Sequence, residues 1–436
     1  MRIAVAAAAS VALLAALPAG SAPRPQPAAL IAKGIARAQL SADEQAQYRA
    51  TLGRVRSDLK RLPKLRADVL RTVVADVAAQ WRSYTPERAL VLFSTLEVNA
   101  DWLEHHAVWA GHPDLTADDG IVYRWFWSRG YVFHPLANFA RLNLEAGAGD
   151  IEATEQHAAA LLARATPVGA KLVWQYEFPF ASGRAPWASG MAQAVASQAL
   201  ARAGNLLGDP ALLDAADRAY GAVAGLLSGS SPVKPWIALY SFDRTPVLNA
   251  QLQAALSVGD YAEIAGDPAA AAFAGRLTVA AAEMLPRFDT GYWSLYSLHG
   301  DDSPLDYHDY VITLLRKLAA RTGETSWSET AERFYAYESE PPLIRVGPVP
   351  RTLLRSRKAP FRFWLSKSSS VTFRVGKTVV QESLGHGSHT IVWSPKNAMP
   401  GTYHPRLTAV GPTGLRASMA LPPVKVARAP KPKSRR

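Results

Sequence analysis

The residues best suited to chemistry lie in a short aromatic segment, Phe288 to His308. It holds five aromatic rings, three of which are phenols, and two imidazoles. Loops between helices are usually small and polar, so a loop of this composition indicates a recognition surface. Aromatic rings stack on the apolar face of a sugar, and phenols offer donors and acceptors to its hydroxyl groups. The segment therefore predicts a carbohydrate site.

Three other aromatic segments precede predicted helices in the same way: Tyr123–Phe133, Trp174–Trp187 and Trp236–Phe242. With their flanks, the four segments supply the groups needed to remove a proton next to a carboxylate. A Tyr or His base with a lowered pKa takes the proton, while Arg neutralises the carboxylate and stabilises the enolate. The candidate groups are the phenols Tyr131, Tyr176, Tyr240, Tyr296 and Tyr307, the imidazoles His134, His299 and His308, the carboxylates Glu177, Asp243 and Asp306, and the guanidiniums Arg129, Arg184 and Arg244.

The fate of this enolate separates two reactions on a uronic acid. Return of the proton on the opposite face inverts C5, whereas loss of the 4-linked oxygen cleaves the chain as a lyase does. The chain lacks the motifs of serine hydrolases, of phosphate-binding loops and of dinucleotide sites. His105 and His106 beside Glu104 lack the spacing of a zinc site, so we expect no metal site.

Helical periodicity places the aromatic segments between paired helices. Such hairpins bury their faces by stacking on their neighbours. If they curve into an α/α toroid, the aromatic segments converge at one mouth, so we predict a toroid around a cleft over residues 120–340. The predicted pairs are His134–Ala146 with Ile151–Ala165, Ala188–Ala203 with Pro210–Leu227, Val247–Ile264 with Pro268–Leu285, and Tyr307–Arg321 with Ser326–Ala336.

The region before the toroid is also helical in pattern. Residues 23–119 show helix starts at Ser41 and at Thr85 with Pro86, and no β-type alternation up to Ala107. Residues 1–22 read as a signal peptide, with Arg2, an apolar run and a small-residue cleavage site. We therefore expect an exported protein, secreted or associated with the cell envelope, without a transmembrane segment after signal removal. The chain has no cysteine, which excludes disulfides.

After Pro341 the pattern changes to short alternating strands separated by Gly, Pro and Ser. We predict a small antiparallel β-sandwich over residues 341–424 and a basic tail over 425–436. The order of its strands resembles the immunoglobulin-like module of flagellar hook-capping proteins and of many secreted bacterial enzymes. The predicted strands are Phe361–Leu365, Val371–Val375, Thr390–Trp393, Tyr403–Val410 and Leu415–Met419.

The positive charge of the chain is confined to this last part. From Pro341 onward, 18 Lys and Arg face one acidic residue, Glu382, a net charge of +17, while the rest of the chain carries −5. A basic module attracts polyanions over long range. In an exported protein we expect an acidic polysaccharide or a cell-envelope polyanion, not nucleic acid, as the partner. The alternative for the tail from Lys425 is a solubilising segment.

Several motifs in order resemble the C-terminal helical domain of D-glucuronyl C5-epimerases. They are Pro186–Gln193, Trp236 to Tyr240 with Pro246–Asn249, Leu285–Gly291 with Tyr296, and Asp306-Tyr307-His308. Gly130–Pro135 is similar to the segment before that family's first hairpin. The resemblance implies an α/α toroid that acts, without a coenzyme, on glucuronic acid within heparan-type chains.

By position, the resemblance implies that Tyr240, Tyr296 and Tyr307 are active-site tyrosines, with Tyr307 as the acid/base on one face. The family's catalytic glutamate, however, is replaced by Leu239. The leading hypothesis is a uronate C5-epimerase. The alternatives are a uronate lyase and a non-catalytic glycan- or envelope-binding protein. The candidate substrate-binding residues are Tyr131, His134, Tyr176, Glu177, Trp187, Gln193, Arg244, Asn249 and His308. Trp187 suits a core position better than a ligand contact, whereas Tyr131 and His134 equally suit a role in capping or packing the first hairpin.

Overall fold

The computed structural model describes residues 26–427, which form two compact units. Residues 26–281 are called the helical unit and residues 282–427 the C-terminal unit. The predicted signal peptide and the chain after Ala427 lie outside the described residues. Within residues 26–427, no helix is both long and apolar enough to cross a membrane.

The helical unit consists of helices joined by short β-hairpins. The helices are α1 (Pro27–Arg37), α2 (Ala42–Arg61), α3 (Lys64–Ala79), α4 (Pro86–His105), α5 (Pro135–Ala148), α6 (Ile151–Leu162), α7 (Gly190–Leu207), α8 (Pro210–Val223), α9 (Leu248–Ala265) and α10 (Pro268–Met284). The strands are β1 (Leu115–Thr116), β2 (Val122–Phe126), β3 (Gly130–Phe133), β4 (Thr166–Val168), β5 (Lys171–Val173), β6 (Ala238–Tyr240) and β7 (Asp243–Pro246).

Local sequence signals explain where the helices begin and end. Ser41 and Glu44 form the capping box of α2, and the Thr85 side chain accepts the Arg88 amide at the start of α4. Gly149 and Gly208 end α5 and α7 in the left-handed conformation, which a residue without Cβ adopts at no steric cost. The predicted helix pairs and both predicted helix starts are confirmed.

Helix α7 is the centre of the helical unit. It contacts α5, α8 and α9 and is buried over most of its length, with alanine at many positions. Strand β6 lies directly against its first turn, because a Cβ on Gly190 would stand 2.7 Å from the carbonyl oxygen of Ala238. This close approach brings β6, and with it Tyr240, to the N-terminal end of α7.

The C-terminal unit combines one helical hairpin with the β-rich part of the chain. Its helices are α11 (Leu305–Thr322) and α12 (Thr325–Glu338). Its strands are β8 (Ile344–Val346), β9 (Thr352–Leu354), β10 (Ala359–Leu365), β11 (Ser369–Val375), β12 (Thr378–Leu384), β13 (Gly387–Trp393), β14 (Gly401–Tyr403), β15 (Arg406–Val410), β16 (Arg416–Ala420) and β17 (Val424–Ala427).

The strands form three sheets around one apolar core. Their orders are β13-β10-β8, β12-β11-β15-β16 and β14-β17-β9. Phe361, Phe373 and Trp393 are buried at the centre of this core. The β-rich character is confirmed, but strands β8, β9, β12 and β17 were not predicted. The parallel pairing of β17 with β9 also differs from the predicted antiparallel sandwich. Lys425 belongs to β17, so the predicted tail boundary falls inside a strand. The immunoglobulin-like topology and the toroid stay predictions.

Candidate functional site

Three of the four aromatic segments converge in the helical unit. Phe126, from β2, lies with its ring centroid 5.0 Å from that of Phe178. Trp187 joins Phe178 at 5.9 Å to Tyr240 at 5.6 Å. The predicted convergence is confirmed for these three segments. We call this set the aromatic cluster: Phe126, Tyr176, Phe178, Phe180, Trp187, Tyr240 and Phe242.

The aromatic cluster has a rigid base. Tyr176 and Trp187 stack face to face with centroids 3.9 Å apart, and their backbones exchange two hydrogen bonds. Trp187 donates its indole N–H to the carbonyl oxygen of Phe178 at 2.8 Å. Both side chains are buried, and so is Phe178, whose carbonyl oxygen accepts the indole hydrogen bond. Trp187 and Tyr176 therefore act as framework for the rings around them.

Phe178 is buried as well, and the four other rings are half-buried and form the accessible side of the aromatic cluster. They are Phe126, Phe180, Tyr240 and Phe242. Phe242 reaches its position only because residue 183 is glycine, since a Cβ there would lie 2.2 Å from the Phe242 ring. Tyr240 and Phe242 stack at 5.4 Å with an angle of 18° between their planes. The accessible side is thus an apolar surface with a phenol, which suits the face of a sugar ring.

The hairpin β2–β3 places two further predicted residues. Asn99, on α4, binds both backbone groups of Tyr131, whose phenol donates to the carbonyl oxygen of Pro113. His134 accepts the Ala137 amide through Nδ1 and so caps α5. Complete burial holds the pKa of His134 well below its usual value, which keeps the ring neutral. Both residues carry structural bonds in this conformation.

Glu177 belongs to a buried ion pair. Its Oε1 lies 3.1 Å from Nε of Arg88, on α4. Burial raises the pKa of Glu177, and the Arg88 charge partly opposes that rise. Its Oε2 has no hydrogen-bond partner among the described residues. The adjoining cavity measures about 20 Å³, which holds about one water molecule. Glu177 therefore faces a space far smaller than a sugar.

The hairpin β6–β7 carries the position at which the resemblance implied a glutamate. Leu239 occupies it and is 8% exposed. Asp243 accepts both the amide and the hydroxyl of Thr245, at 2.9 and 2.7 Å. Arg244 is exposed. Around Tyr240 the hairpin thus offers an apolar side chain and a carboxylate that is already hydrogen-bonded.

Gln193 and Asn249 lie in the interior. Gln193 donates to the carbonyl oxygens of Leu172 and Ala219, at 2.7 and 3.2 Å, and is 2% exposed. Asn249 is also buried, and its Oδ1 has no partner among the described residues. Gln193 therefore ties the start of α7 to its neighbours, and a ligand contact would require these bonds to break.

The sequence reasoning missed Gln251, which positions the strand that carries Tyr240. Its Oε1 accepts the Ile237 amide at 2.8 Å, and its Nε2 donates to the carbonyl oxygens of Pro235 and Leu277. One fully buried amide side chain thus joins the segment before β6 to α10 through three hydrogen bonds. A glutamine two residues after Asn249, in an otherwise apolar helical stripe, was the available signal.

In the C-terminal unit, residues 288–304 form a short hairpin that we call the aromatic hairpin. Its backbone pairs Asp289 with Ser294 and Leu295 with Asp302. The Asp289 side chain accepts the Gly291 amide at 2.8 Å, which closes a turn at this end of the hairpin. Tyr296 follows Leu295 directly, and its amide donates to the carbonyl oxygen of Asp301.

Tyr296 and Tyr307 come together in the C-terminal unit. Their ring centroids are 5.4 Å apart and their planes meet at 80°. Both are half-buried, with Tyr307 in the first turn of α11. This edge-to-face pair places two phenols side by side at a partly open surface. Tyr240 belongs to the helical unit.

His308 is fixed inside the C-terminal unit. Nδ1 lies 2.7 Å from the hydroxyl of Ser294 and Nε2 lies 2.9 Å from the carbonyl oxygen of Phe334. The ring stacks on Trp293 at 3.7 Å. Burial lowers the pKa of His308 to about 4. Both nitrogens are engaged, so His308 orients its neighbours and has no ring atom open to a ligand.

Asp302 anchors the aromatic hairpin to the β-rich part of the same unit. Its Oδ2 accepts the amide and hydroxyl of Ser368, at 2.6 and 2.7 Å, and the amide of His386 at 3.2 Å. Nδ1 of His386 lies 2.6 Å from Oδ1. The carboxylate is fully buried. The Asp302 carboxylate therefore links the aromatic hairpin to residues 66 and 84 positions further along the chain.

Lys367 adds a second connection beside this anchor. Its ammonium donates to the carbonyl oxygens of Tyr337 and Glu340, at the end of α12, and lies 5.0 Å from the ring centre of Trp293. The side chain is 2% exposed. A cation is favoured where a helix ends. The segment that joins β10 to β11 thus holds both the aromatic hairpin and α12.

Glu338 is a titratable group that the sequence reasoning did not identify. Burial and a hydrogen bond with Asp309 raise its pKa to about 7. Two carboxyl groups this close share a proton, because ionisation of both is unfavourable. The C-terminal unit therefore contains a carboxyl group that is partly protonated near neutral pH.

Residues 169–336 match the family model of the D-glucuronyl C5-epimerase C-terminus. This segment is similar to those epimerases. The match contains Tyr240, Tyr296 and Tyr307 and confirms the resemblance for this part of the chain, which is well under half of it. A search of curated protein sequences found no match.

Solved structures that align with the chain are carbohydrate-active enzymes of low similarity. The GH76 alpha-mannanase from Bacteroides thetaiotaomicron aligns at 14% identity and a TM-score of 0.34, over 47% of this chain and 60% of the mannanase. An endoglucanase from Komagataeibacter sucrofermentans aligns at 15% identity and a TM-score of 0.33, over 43% of this chain and 68% of the endoglucanase. The chain thus spans less than two thirds of the mannanase.

Proposed function

We propose that the protein is an exported carbohydrate-active enzyme that inverts C5 of a uronic acid residue within an acidic glycan. The observation that carries the proposal is the epimerase match over residues 169–336, which includes all three candidate tyrosines. The half-buried phenols of Tyr296 and Tyr307, 5.4 Å apart, support it. The accessible side of the aromatic cluster also supports the proposal, because an apolar surface with a phenol suits a sugar ring.

In the proposed reaction Tyr307 exchanges a proton with C5 on one face of the sugar. Removal of that proton leaves an enolate on the substrate carboxylate, and re-addition on the other face gives the C5 epimer. Tyr296, which lies beside Tyr307, is the second proposed tyrosine, and Tyr240 is the third tyrosine that the family resemblance implies. The helix pairs form an α/α toroid in this proposal, and the basic β-rich part holds the enzyme on an anionic polymer of the envelope.

Proton exchange is the direct test. Incubation with glucuronate-containing oligosaccharides in deuterated water should place deuterium at C5, read by NMR. An unsaturated product that absorbs in the ultraviolet would identify a lyase instead. We expect Tyr307→Phe to abolish exchange without loss of thermal stability. Tyr335→Phe removes a phenol from an exposed position of α12 and serves as the matched control. Unchanged exchange in Tyr307→Phe would exclude the assigned role.

A second candidate function rests on Leu239. The glutamate expected beside Tyr240 is an apolar, buried residue, while Asp243 is hydrogen-bonded to Thr245 and Glu177 to Arg88. Loss of one member of an acid/base pair removes most of an enzyme's activity. These observations favour a glycan-binding protein without catalysis. Binding of the oligosaccharide with neither deuterium incorporation nor an unsaturated product would establish it.

A further inference from the structure

The outward side of the four-stranded sheet β12-β11-β15-β16 is basic. Pairing places Arg374 of β11 directly opposite Arg406 of β15. Arg416 of β16 pairs with Val410 of β15. Val410 lies four residues after Arg406 and therefore on the same side of the sheet. Because side chains alternate along a strand, all three arginines share the side that faces away from the apolar core. All three are exposed, and Lys377 is exposed in the adjoining β11–β12 turn.

Among the residues that the structure describes, no acidic side chain forms a salt bridge with these three arginines. Within residues 341–427 the single acidic residue, Glu382, pairs with Val371, which belongs to the core-facing set. Arg406 makes only a long hydrogen bond, 3.4 Å, to the hydroxyl of Ser418. In the helical unit, by contrast, Arg124 pairs with Asp114 at 2.7 Å. The sheet therefore collects guanidiniums that the described part of its unit does not neutralise.

The opposed pair Arg374–Arg406 is unfavourable for the sheet itself. Like charges directly opposite each other on neighbouring strands destabilise the pairing. Neutral side chains at these two positions would give the same sheet without the repulsion. An anion bound between the two guanidiniums removes this cost, because each planar fork binds a carboxylate or sulfate through two hydrogen bonds.

We infer that this side, called the arginine face, binds an acidic polysaccharide. Its members are Arg374, Arg406 and Arg416 with the polar side chains Ser370, Gln381 and Ser418. Arg416 lies about 13 Å along the strand direction from the opposed pair, given roughly 3.3 Å per residue, so the face is extended. Hydroxyl and amide groups between the charges match the hydroxyl groups of a sugar chain. The polymer is that of the proposed function, and the inference rests on it.

The test uses the full chain and compares two variants of equal net charge. Arg374→Gln with Arg406→Gln removes the opposed pair. The control, Arg357→Gln with Lys358→Gln, removes two exposed charges from the segment before β10. The probe is alginate, a polyuronate, with uncharged dextran as the blank. We expect the face variant to bind alginate about fivefold more weakly, the effect of two exposed ionic contacts, while the control changes little. The thermal midpoint of the face variant should stay the same or rise, because the repulsion between Arg374 and Arg406 is lost.

Two results would overturn the inference. Equal weakening by both variants would mean that net charge, not the arginine face, sets the affinity. Unchanged alginate binding together with weaker binding of double-stranded DNA or of phosphatidylserine vesicles would assign the face to another polyanion. The C5 exchange assay on a short oligosaccharide is independent of this face. If the face variant binds alginate more weakly but the native protein shows no C5 exchange, the assignment of the arginine face stands and the proposed function is rejected.

Discussion

The aromatic cluster and the aromatic hairpin have similar compositions but are held in place by different forces. In the aromatic cluster, aromatic side chains are fixed by packing on one another: the ring centroids of Tyr176 and Trp187 lie 3.9 Å apart within an apolar set. In the aromatic hairpin, buried polar groups do this work. Asp302 binds Ser368 and His386, and Lys367 binds the end of α12.

The difference decides how each region responds to change. Stacking is spread over many pair contacts, so removal of one ring takes away a part of the total. A buried carboxylate with several donors depends on one residue, and its loss leaves all of those donors unpaired. The aromatic cluster should therefore weaken gradually when one ring is lost, whereas the aromatic hairpin should fail abruptly when Asp302 is lost.

The largest expected effect is that of Asp302→Ala. The change leaves the amide and hydroxyl of Ser368 and the amide of His386 without their acceptor. We expect the C-terminal unit to lose about 4 kcal/mol of unfolding free energy. Hydrogen exchange should rise in residues 288–304 and stay unchanged in α7. Asp301→Ala, at an exposed neighbour, is the control. An equal effect of the two substitutions would contradict the anchoring role.

Acid should weaken the same region through His308. Its pKa is lowered from 6.5 to about 4 in the fold, so the unfolded chain binds the proton more tightly. The stabilisation is complete above pH 6.5 and is lost as the pH falls toward 4, a change of about 3 kcal/mol. Denaturation curves of the native protein at pH 7 and pH 5 should differ by about 2 kcal/mol, the part of this change that falls above pH 5.

His308→Gln should flatten this pH dependence, and His404→Gln, at an exposed histidine, should not. A pH dependence that persists in His308→Gln would assign the acid response to another group.

In the aromatic cluster, Trp187→Leu should cost about 2 kcal/mol, because part of the buried contact is kept. The loss should be the same at pH 7 and pH 5, since stacking involves no proton. Trp127→Leu is the control, as that indole is 56% exposed. A loss that grows on acidification would erase the contrast between the two regions.

The smallest expected effect is that of Glu338→Gln. The folded pKa of Glu338 is raised to about 7, so its ionisation weakens the fold as the pH rises from 4.5 through 7. The substitution should stabilise the α11–α12 hairpin by about 1 kcal/mol at pH 8, after allowance for partial exposure, and by nothing at pH 4. Glu329→Gln, on the exposed side of α12, should be neutral at both.

What the sequence could predict was local. Caps such as Ser41 with Glu44 and the helix pairs follow from short-range signals, and the period of the aromatic segments predicted their convergence. The anchor of Asp302 joins residues 66 and 84 positions apart, and no periodicity marks such a partner. Gln193 and His308 stand within motifs of the family resemblance, yet their burial depends on how the helices pack. Sequence position alone does not reveal it.

The parallel pairing of β17 with β9 has a consequence for biosynthesis. β9 ends at Leu354, and its partner is complete only at Ala427, so a ribosome must add more than 70 residues before this sheet can form. Until then β9 has no partner in its own sheet, and exposed strand edges of this kind pair readily with other chains. The hydrogen bonds that anchor the aromatic hairpin also form late, because Ser368 and His386 follow it in the chain. A nascent chain therefore emerges with the aromatic hairpin before the residues that secure it, and premature termination would yield a product prone to aggregation.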